Sequence, residues 1–175
     1  MTERYEIDGQ VILNFRDFVK KSYGKDGFEK MAGELPFDIS SVYGGVDYPI
    51  EYVNKCMCYI KENYGMEMLY NAGRFSMRNL GMKRYLTLLM PPKKILDKLQ
   101  ESVSKMNNAV SLEIEYNDFG ALVTMHGPDW DDMNSMFWKG MLKGALEVTK
   151  TEGEVTMEES DVAGIEEVYY SVVWK

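Results

Sequence analysis

The chain has 175 residues, of which 45% are hydrophobic, and a net charge of −8. This composition is typical of one soluble globular domain that spans residues 1–175, and it excludes a disordered chain. The acidic balance argues against nucleic acid as a partner. No apolar run approaches the roughly 20 residues of a membrane helix. Residues 1–6 lack the apolar core of a signal peptide, and we therefore predict a cytoplasmic protein.

The first part of the chain, residues 1–109, is predicted to be helical, because its apolar residues recur at helical spacing. Gly24, Gly65 and the pair Pro91-Pro92 separate the helices. Asp47-Tyr48-Pro49 indicates a helix start, with a capping side chain followed by proline in the first turn. The apolar stripes cover 11–24, 28–31, 50–64, 66–80, 82–90 and 95–106.

The second part, residues 110–175, changes to period two, which is typical of half-buried strands. Residues 110–116 and 121–126 form a predicted hairpin around the turn 117–120. A long helix over about 131–150 follows, capped within 129–132, and then come strands at 155–158 and 168–174. The predicted fold is therefore α+β: an N-terminal helical half packed on a four-stranded antiparallel sheet of order ββαββ.

Few residues are available for metal or acid–base chemistry. His126 is the only histidine, and its position in the alternation predicts that it faces solvent or the acidic side of the sheet. Cys56 and Cys58 point about 200° apart on a helix, so we expect buried thiols instead of a disulfide or a shared metal. No nucleotide-binding fingerprint and no calcium-loop spacing occurs, so we predict a protein that is not an enzyme and has no metal or cofactor.

The charges are unevenly placed. Residues 1–109 hold 16 basic and 14 acidic residues, whereas residues 110–175 hold 4 and 14. Seven basic residues lie between positions 74 and 98. Three roles are open for them: a solvated face, the binding of an acidic partner or a phosphate, or docking on the acidic half of the same chain. These are Arg74, Arg78, Lys83, Arg84, Lys93, Lys94 and Lys98.

Aromatic and methionine side chains are unusually abundant, with 14 Met, 12 Tyr and 3 Trp. Ordinary core packing explains any single one of them, but a mostly apolar pocket with a few polar groups is also the usual form of a small-molecule site. Gly140 and Gly144 are expected to let the long helix lie close against the sheet. The candidate pocket between helices and sheet is formed by Tyr70, Arg74, Phe75, Tyr85, Trp130 and Trp138.

Several short stretches carry a resemblance to a known family. Residues 18–24, Phe-Val-Lys-Lys-Ser-Tyr-Gly, are similar to the end of its opening helix, and Tyr48-Pro49, Gly65 and Arg74-Phe75 are similar to its middle. Gly140-Met-Leu-Lys-Gly144 followed by Gly153 is similar to the long helix of the four-vinyl-reductase-type members of its superfamily. On these motifs and the order of elements, the chain resembles the haem nitric-oxide-binding domain, whose superfamily includes four-vinyl-reductase-type sensory domains and Bet3-type subunits of the TRAPP transport complex.

The departures from that family bear on the cofactor. The resemblance implies a haem-ligating histidine ahead of the first hairpin, yet residues 82–109 contain none. It also implies a Tyr-x-Ser-x-Arg motif, but residues 115–119 have no matching Ser or Arg. The zinc-bearing members place cysteines around the last hairpin, and residues 150–175 contain none. We therefore expect the family's pocket or surface without its metal.

Three functions follow from the sequence. The first is a haem-free sensory domain that binds a small apolar ligand and is coupled to a signalling partner. The second is a protein-interaction or assembly module of the transport-complex type, which acts through a partner or a homodimer. The third, a reductase, follows only from the name of the vinyl-reductase-type members, and a shared fold does not fix a function.

Overall fold

The described α-helices and the four longer strands lie in the parts of the chain that the sequence predicts. The computed structural model describes residues 5–79, 90–127, 131–158 and 167–175. The helices are α1 (Gly9–Glu34), α2 (Glu51–Tyr64), α3 (Met66–Arg78), α4 (Pro92–Met106) and α5 (Asp132–Val148). The strands are β1 (Glu6–Asp8), β2 (Asp47–Pro49), β3 (Ser111–Asn117), β4 (Gly120–His126), β5 (Gly153–Glu158) and β6 (Glu167–Trp174). The predicted helical piece over 82–90 lies outside the described residues, except for Met90.

The long helix α1 has a kink at Gly24. Its first turn is capped by the Asp8 side chain, which accepts a hydrogen bond from the backbone N–H of Gln10. Gly24 has φ 73° and ψ −165°, a conformation that interrupts the helix and that glycine adopts without a steric penalty. Beside the kink, the rings of Tyr23 and Tyr64 stack with their centroids 3.7 Å apart, which joins α1 to the end of α2. The prediction that Gly24 ends the first helical segment is confirmed.

The prediction of a helix start at Asp47 is wrong. Residues Asp47–Pro49 are strand β2, paired antiparallel with β1, and Asp47 lies opposite Asp8. This pairing keeps the segment extended, so α2 begins only at Glu51, without a capping side chain at Ile50. Three-residue strands have too few positions to show a period of two, which is why the sequence did not reveal them.

The four longer strands form one antiparallel sheet in the order β3-β4-β6-β5. Side chains alternate along the strands, so that Val123 and Tyr170 face the core while Thr124 and Tyr169 face outward. The Asp131 side chain caps α5 by accepting from the N–H of Asn134, as predicted. The mixed helix-and-sheet fold and its antiparallel four-stranded sheet are confirmed.

The core continues from the inner face of the sheet through α5 into the N-terminal helices. The hydroxyl of buried Tyr170 on β6 donates to the carbonyl oxygen of Ser135 on α5 at 3.1 Å, which fixes the helix against the sheet. Among the described residues, no helix has the length and apolar character needed to cross a membrane.

Candidate functional site

A small, partly open cavity lies among the helices, with a volume of about 70 Å³. Each of the five described α-helices contributes to its wall, and most of the side chains are apolar. The polar ones are uncharged, and none of the described residues that line the cavity is ionisable. The lining comprises Ile7, Val11, Asn14, Ile50, Val53, Asn54, Met57, Ser76, Leu99, Ser102, Val103, Met106, Asn107, Val110, Asn134, Phe137, Trp138 and Met141.

Ser76 is the unusual residue of this wall. It lies on α3 among core side chains and is only 2% exposed. Its Oγ is buried and has no hydrogen-bond partner among the described protein groups. A buried hydroxyl without a partner costs about 1–3 kcal/mol, and native structures seldom leave one unmet. The hydroxyl is therefore available to a guest in the cavity.

Other polar side chains of the wall have bonding roles in the fold. The side-chain oxygen of Asn14, Oδ1, accepts a hydrogen bond from Gln10 Nε2 at 3.3 Å. Asn107 accepts from the N–H of Ala109 and donates to the carbonyl of Val103 at the end of α4. Asn134 donates through Nδ2 to Asp131 at the start of α5. Ser76 differs from these three because no such bond engages its side chain.

Helices α3 and α5 pack more closely than any side chain larger than hydrogen would allow. A Cβ at Gly140 would lie 2.0 Å from the carbonyl oxygen of Tyr70, and a Cβ at Gly73 would lie 2.0 Å from that of Phe137. Gly144 likewise faces the backbone of Arg74 on α3. The expectation that Gly140 and Gly144 serve contact with the sheet is wrong, because both lie against α3. Small residues permit this because they let two helix backbones approach closely.

An ion-pair network closes the outer end of the α3–α5 contact. Glu147 on α5 accepts from Arg74 at 2.5 Å and from Arg78 at 2.7 Å. Partial burial alone would raise the pKa of Glu147, but hydrogen bonds from the two guanidinium groups and their charges hold its pKa below the usual range. Part of the basic segment thus docks on the acidic half of the same chain.

The structure separates the residues of the candidate pocket inferred from the sequence. Trp138 lines the cavity, whereas Arg74 lies over the ring of Tyr70, 5.8 Å from its centroid, next to the ion-pair network. Phe75 packs edge-on against Phe18 of α1, with a centroid distance of 5.8 Å. Tyr85 and Trp130 lie outside the described residues. Of the described members, only Trp138 reaches the cavity.

The sequence did not single out Ser76 or Asn14, although it carried a signal for both. Asn14 stands within the apolar stripe of α1, and Ser76 lies four residues after buried Ala72 on α3. A polar residue at a core position of a helix is the pattern that would have identified them.

His126 lies away from the cavity, at the end of β4. Its Nδ1 is 3.0 Å from Glu167 and its Nε2 is 3.8 Å from Glu113, so it faces the acidic side of the sheet as predicted. Cys56 is buried in α2, and burial raises the pKa of its thiol, which keeps it protonated and unreactive. Within the described ranges, no three His, Cys, Asp or Glu side chains form a group suited to a metal ion.

Comparison with solved structures supports one part of the resemblance. An Fe(II) unliganded H-NOX protein from K. algicida has a TM-score of 0.72 with 13% identity, and the match covers 97% of each chain. The Shewanella woodyi H-NOX in its Fe(II)CO state, bound to IWP-051, gives 0.70 with 12% identity over 94% of this chain and 93% of that one. A variant of Tt H-NOX gives 0.71 with 14% identity over 97% and 95%.

The chain has an H-NOX-like fold. These identities are too low to carry more than the fold, and the neighbours support the haem nitric-oxide-binding part of the resemblance but not its vinyl-reductase-type or transport-complex parts. No protein-family model and no curated protein matches the chain.

Proposed function

We propose that this H-NOX-like domain is a haem-free sensory domain that binds a small ligand between its helices. The observation that carries the proposal is the mostly apolar cavity of about 70 Å³, to which the five described α-helices contribute. An apolar cavity with a few polar groups is the usual form of a small-molecule site. The H-NOX neighbours include an Fe(II) unliganded protein and a structure that bears on the mechanism of H-NOX activation, and they support a sensory role for this fold.

The lining of this cavity does not fit a haem. The only histidine of the chain, His126, lies on β4 beside Glu167, where it does not line the cavity. The cavity is also far smaller than the roughly 300–1,000 Å³ of sites that take drug-sized molecules. Both observations support the haem-free part of the proposal, and no step in it depends on iron.

The lining of the cavity supports binding without chemistry. General acid–base or nucleophilic catalysis needs a titratable group within hydrogen-bond reach of the reacting atoms. The described lining offers only hydroxyl and amide groups besides apolar side chains. We propose accordingly that the domain is not an enzyme. The cytoplasmic location stays a prediction from the sequence.

A signalling partner would sense the ligand through α3. Ser76 lines the cavity, while Arg74 and Arg78 on the same helix hold Glu147 of α5 near the surface. A guest that shifts α3 relative to α5 therefore changes the surface at this ion-pair network. Such a shift requires that the ligand bind the two arrangements with different affinity.

Two measurements on the purified protein test the proposal. Thermal unfolding is followed across a set of small uncharged compounds, and a ligand of the folded state raises the Tm as its concentration increases. An absorbance spectrum is recorded on the same material, and we expect no Soret band. A Soret band with stoichiometric iron would overturn the haem-free assignment, and a Tm that no compound raises would overturn the ligand-binding role.

One observation favours the second candidate, an interaction module. The four strands β3 to β6 carry five glutamates and no lysine or arginine, and alternation places these glutamates on the outer face of the sheet. Phe119 and Val173 at one end of that face are 73% and 46% exposed. Such a surface fits a basic partner.

Light scattering at low and high salt tests the second candidate, with a basic amphipathic peptide as the probe. Binding at low salt that weakens at high salt supports it. A monomer that shows no binding of the peptide at either salt concentration contradicts it, and self-association that is insensitive to salt points to a second copy of the chain.

A further inference from the structure

We infer that the cavity takes a small uncharged molecule of about two to four heavy atoms, with an apolar body and one oxygen that hydrogen-bonds to Ser76 Oγ. Short alcohols, aldehydes and amides have this chemistry. The inference rests on the proposed ligand-binding function and adds the size, charge and anchoring group of the ligand.

The size limit follows from the volume of the cavity. An engineered cavity of about 150 Å³ lined by aliphatic and aromatic side chains binds benzene or xenon. The cavity here, at about 70 Å³, has roughly half that volume and excludes a six-membered ring without rearrangement. Dense protein interiors resist such expansion, so molecules of a few heavy atoms are favoured.

The absence of charge follows from the lining. None of the described residues around the cavity is ionisable, and most of them are apolar. A charged guest would lose its hydration without gaining an opposite charge, which is prohibitive in an apolar interior. We therefore expect binding to be insensitive to pH wherever the fold is stable.

The anchoring role follows from the bonding of the polar wall. Asn107 and Asn134 use their side chains at helix ends, whereas Ser76 Oγ is buried without a partner among the described groups. A hydroxyl both donates and accepts, so it serves an alcohol or a carbonyl oxygen equally. A guest that meets it removes the cost of an unpaired buried polar group.

Methionine methyl groups report directly on this site. Met57, Met106 and Met141 line the cavity, whereas Met31 and Met125 are fully buried elsewhere in the core. Protein labelled with ¹³C at the methionine methyls is titrated with ethanol, and in a separate arm it is equilibrated with xenon under pressure. Benzyl alcohol serves as the probe that is too large.

With ethanol we expect saturable shifts of the three cavity methyls with a dissociation constant in the millimolar range, the limit for a ligand of about three heavy atoms. Xenon should shift the same methyls, and benzyl alcohol should not. Equal shifts at Met31 and Met125 would identify a general solvent effect and overturn the site. Saturable binding of benzyl alcohol would overturn the size limit.

A pair of serine variants tests the anchor. Ser76→Ala should weaken ethanol binding about 5- to 10-fold, which is the loss of one neutral hydrogen bond, and should leave xenon binding unchanged. Ser104→Ala changes an exposed serine on α4 that is not part of the cavity wall, and it should leave both affinities unchanged. An ethanol affinity that Ser76→Ala leaves intact would overturn the anchoring role.

The xenon and ethanol titrations distinguish a failure of the inferred ligand class from a failure of the proposed function. If xenon binds and Ser76→Ala leaves the ethanol affinity unchanged, the ligand class is wrong but the cavity remains a binding site. If neither xenon nor ethanol shifts the methyls of Met57, Met106 and Met141, the cavity accepts no small ligand, and the proposed function fails together with the inference.

Discussion

Replacing Gly140 by alanine tests the close contact between α3 and α5. The new Cβ would lie 2.0 Å from the carbonyl oxygen of Tyr70, whereas real Cβ contacts essentially never fall below 3.0 Å. The helices must therefore separate by about 1 Å, and overpacking of this kind costs about 1–3 kcal/mol or more when backbone has to move. Alanine recovers about 0.5–1 kcal/mol of helix propensity. We expect a net loss of about 1–2 kcal/mol, or a drop in Tm of about 2–8 °C.

Gly33→Ala is the matched control for this variant. Gly33 also lies in a helix, α1, but a Cβ there meets nothing within 4 Å. It should therefore stabilise the protein by up to about 1 kcal/mol. Both free energies of unfolding are measured by urea denaturation and compared with a common m-value, the slope of the unfolding free energy against urea concentration. If Gly140→Ala is as stable as Gly33→Ala, the helices do not depend on glycine for their approach and the reasoning is wrong.

Three further substitutions test other contacts, each by equilibrium unfolding. Glu147→Gln should lower the stability at neutral pH and flatten its loss in acid. A depressed folded-state pKa contributes stability above the unfolded value, about 4.3, and this contribution is lost as the pH falls through the folded pKa. Glu62→Gln, at an exposed position on α2, is its control. Tyr170→Phe should cost about 1 kcal/mol by removing a buried hydrogen bond, whereas Tyr169→Phe on the outer face should cost less. Asp131→Ala should cost about 1 kcal/mol by uncapping α5. Equal effects within either pair, or an unchanged Asp131→Ala, would contradict the respective contact.

Local pattern was sufficient to predict most elements of the fold. The alternation of apolar and polar residues in β3 and β4 predicted both strands, and Gly24 and Gly65 marked helix boundaries because their backbones adopt φ values that other residues avoid. Asp47 misled because the local signal for a helix cap was overridden by pairing with β1, a contact distant in sequence.

The site was harder to predict because its wall is assembled from the five described α-helices. Periodicity tells which face of a helix is buried but not which helix it meets, so Gly140 was assigned to the sheet although it lies against α3. Tyr70 and Phe75 were grouped by composition, yet they point to different neighbours. Ser76 was the more informative residue, because a polar side chain at a core position needs either a hydrogen-bond partner in the protein or a bound ligand.

The glycine contact also bears on how the chain reaches its native state. Gly73 and Gly140 belong to the N-terminal and C-terminal parts and lie far apart in sequence, so their meeting requires a long loop to close first. A fragment that ended before the sheet would expose the groove along α3 to water. We expect that neither the N-terminal part, residues 1–109, nor the C-terminal part, residues 110–175, folds alone. The two parts should acquire protection from hydrogen exchange together, as one cooperative unit.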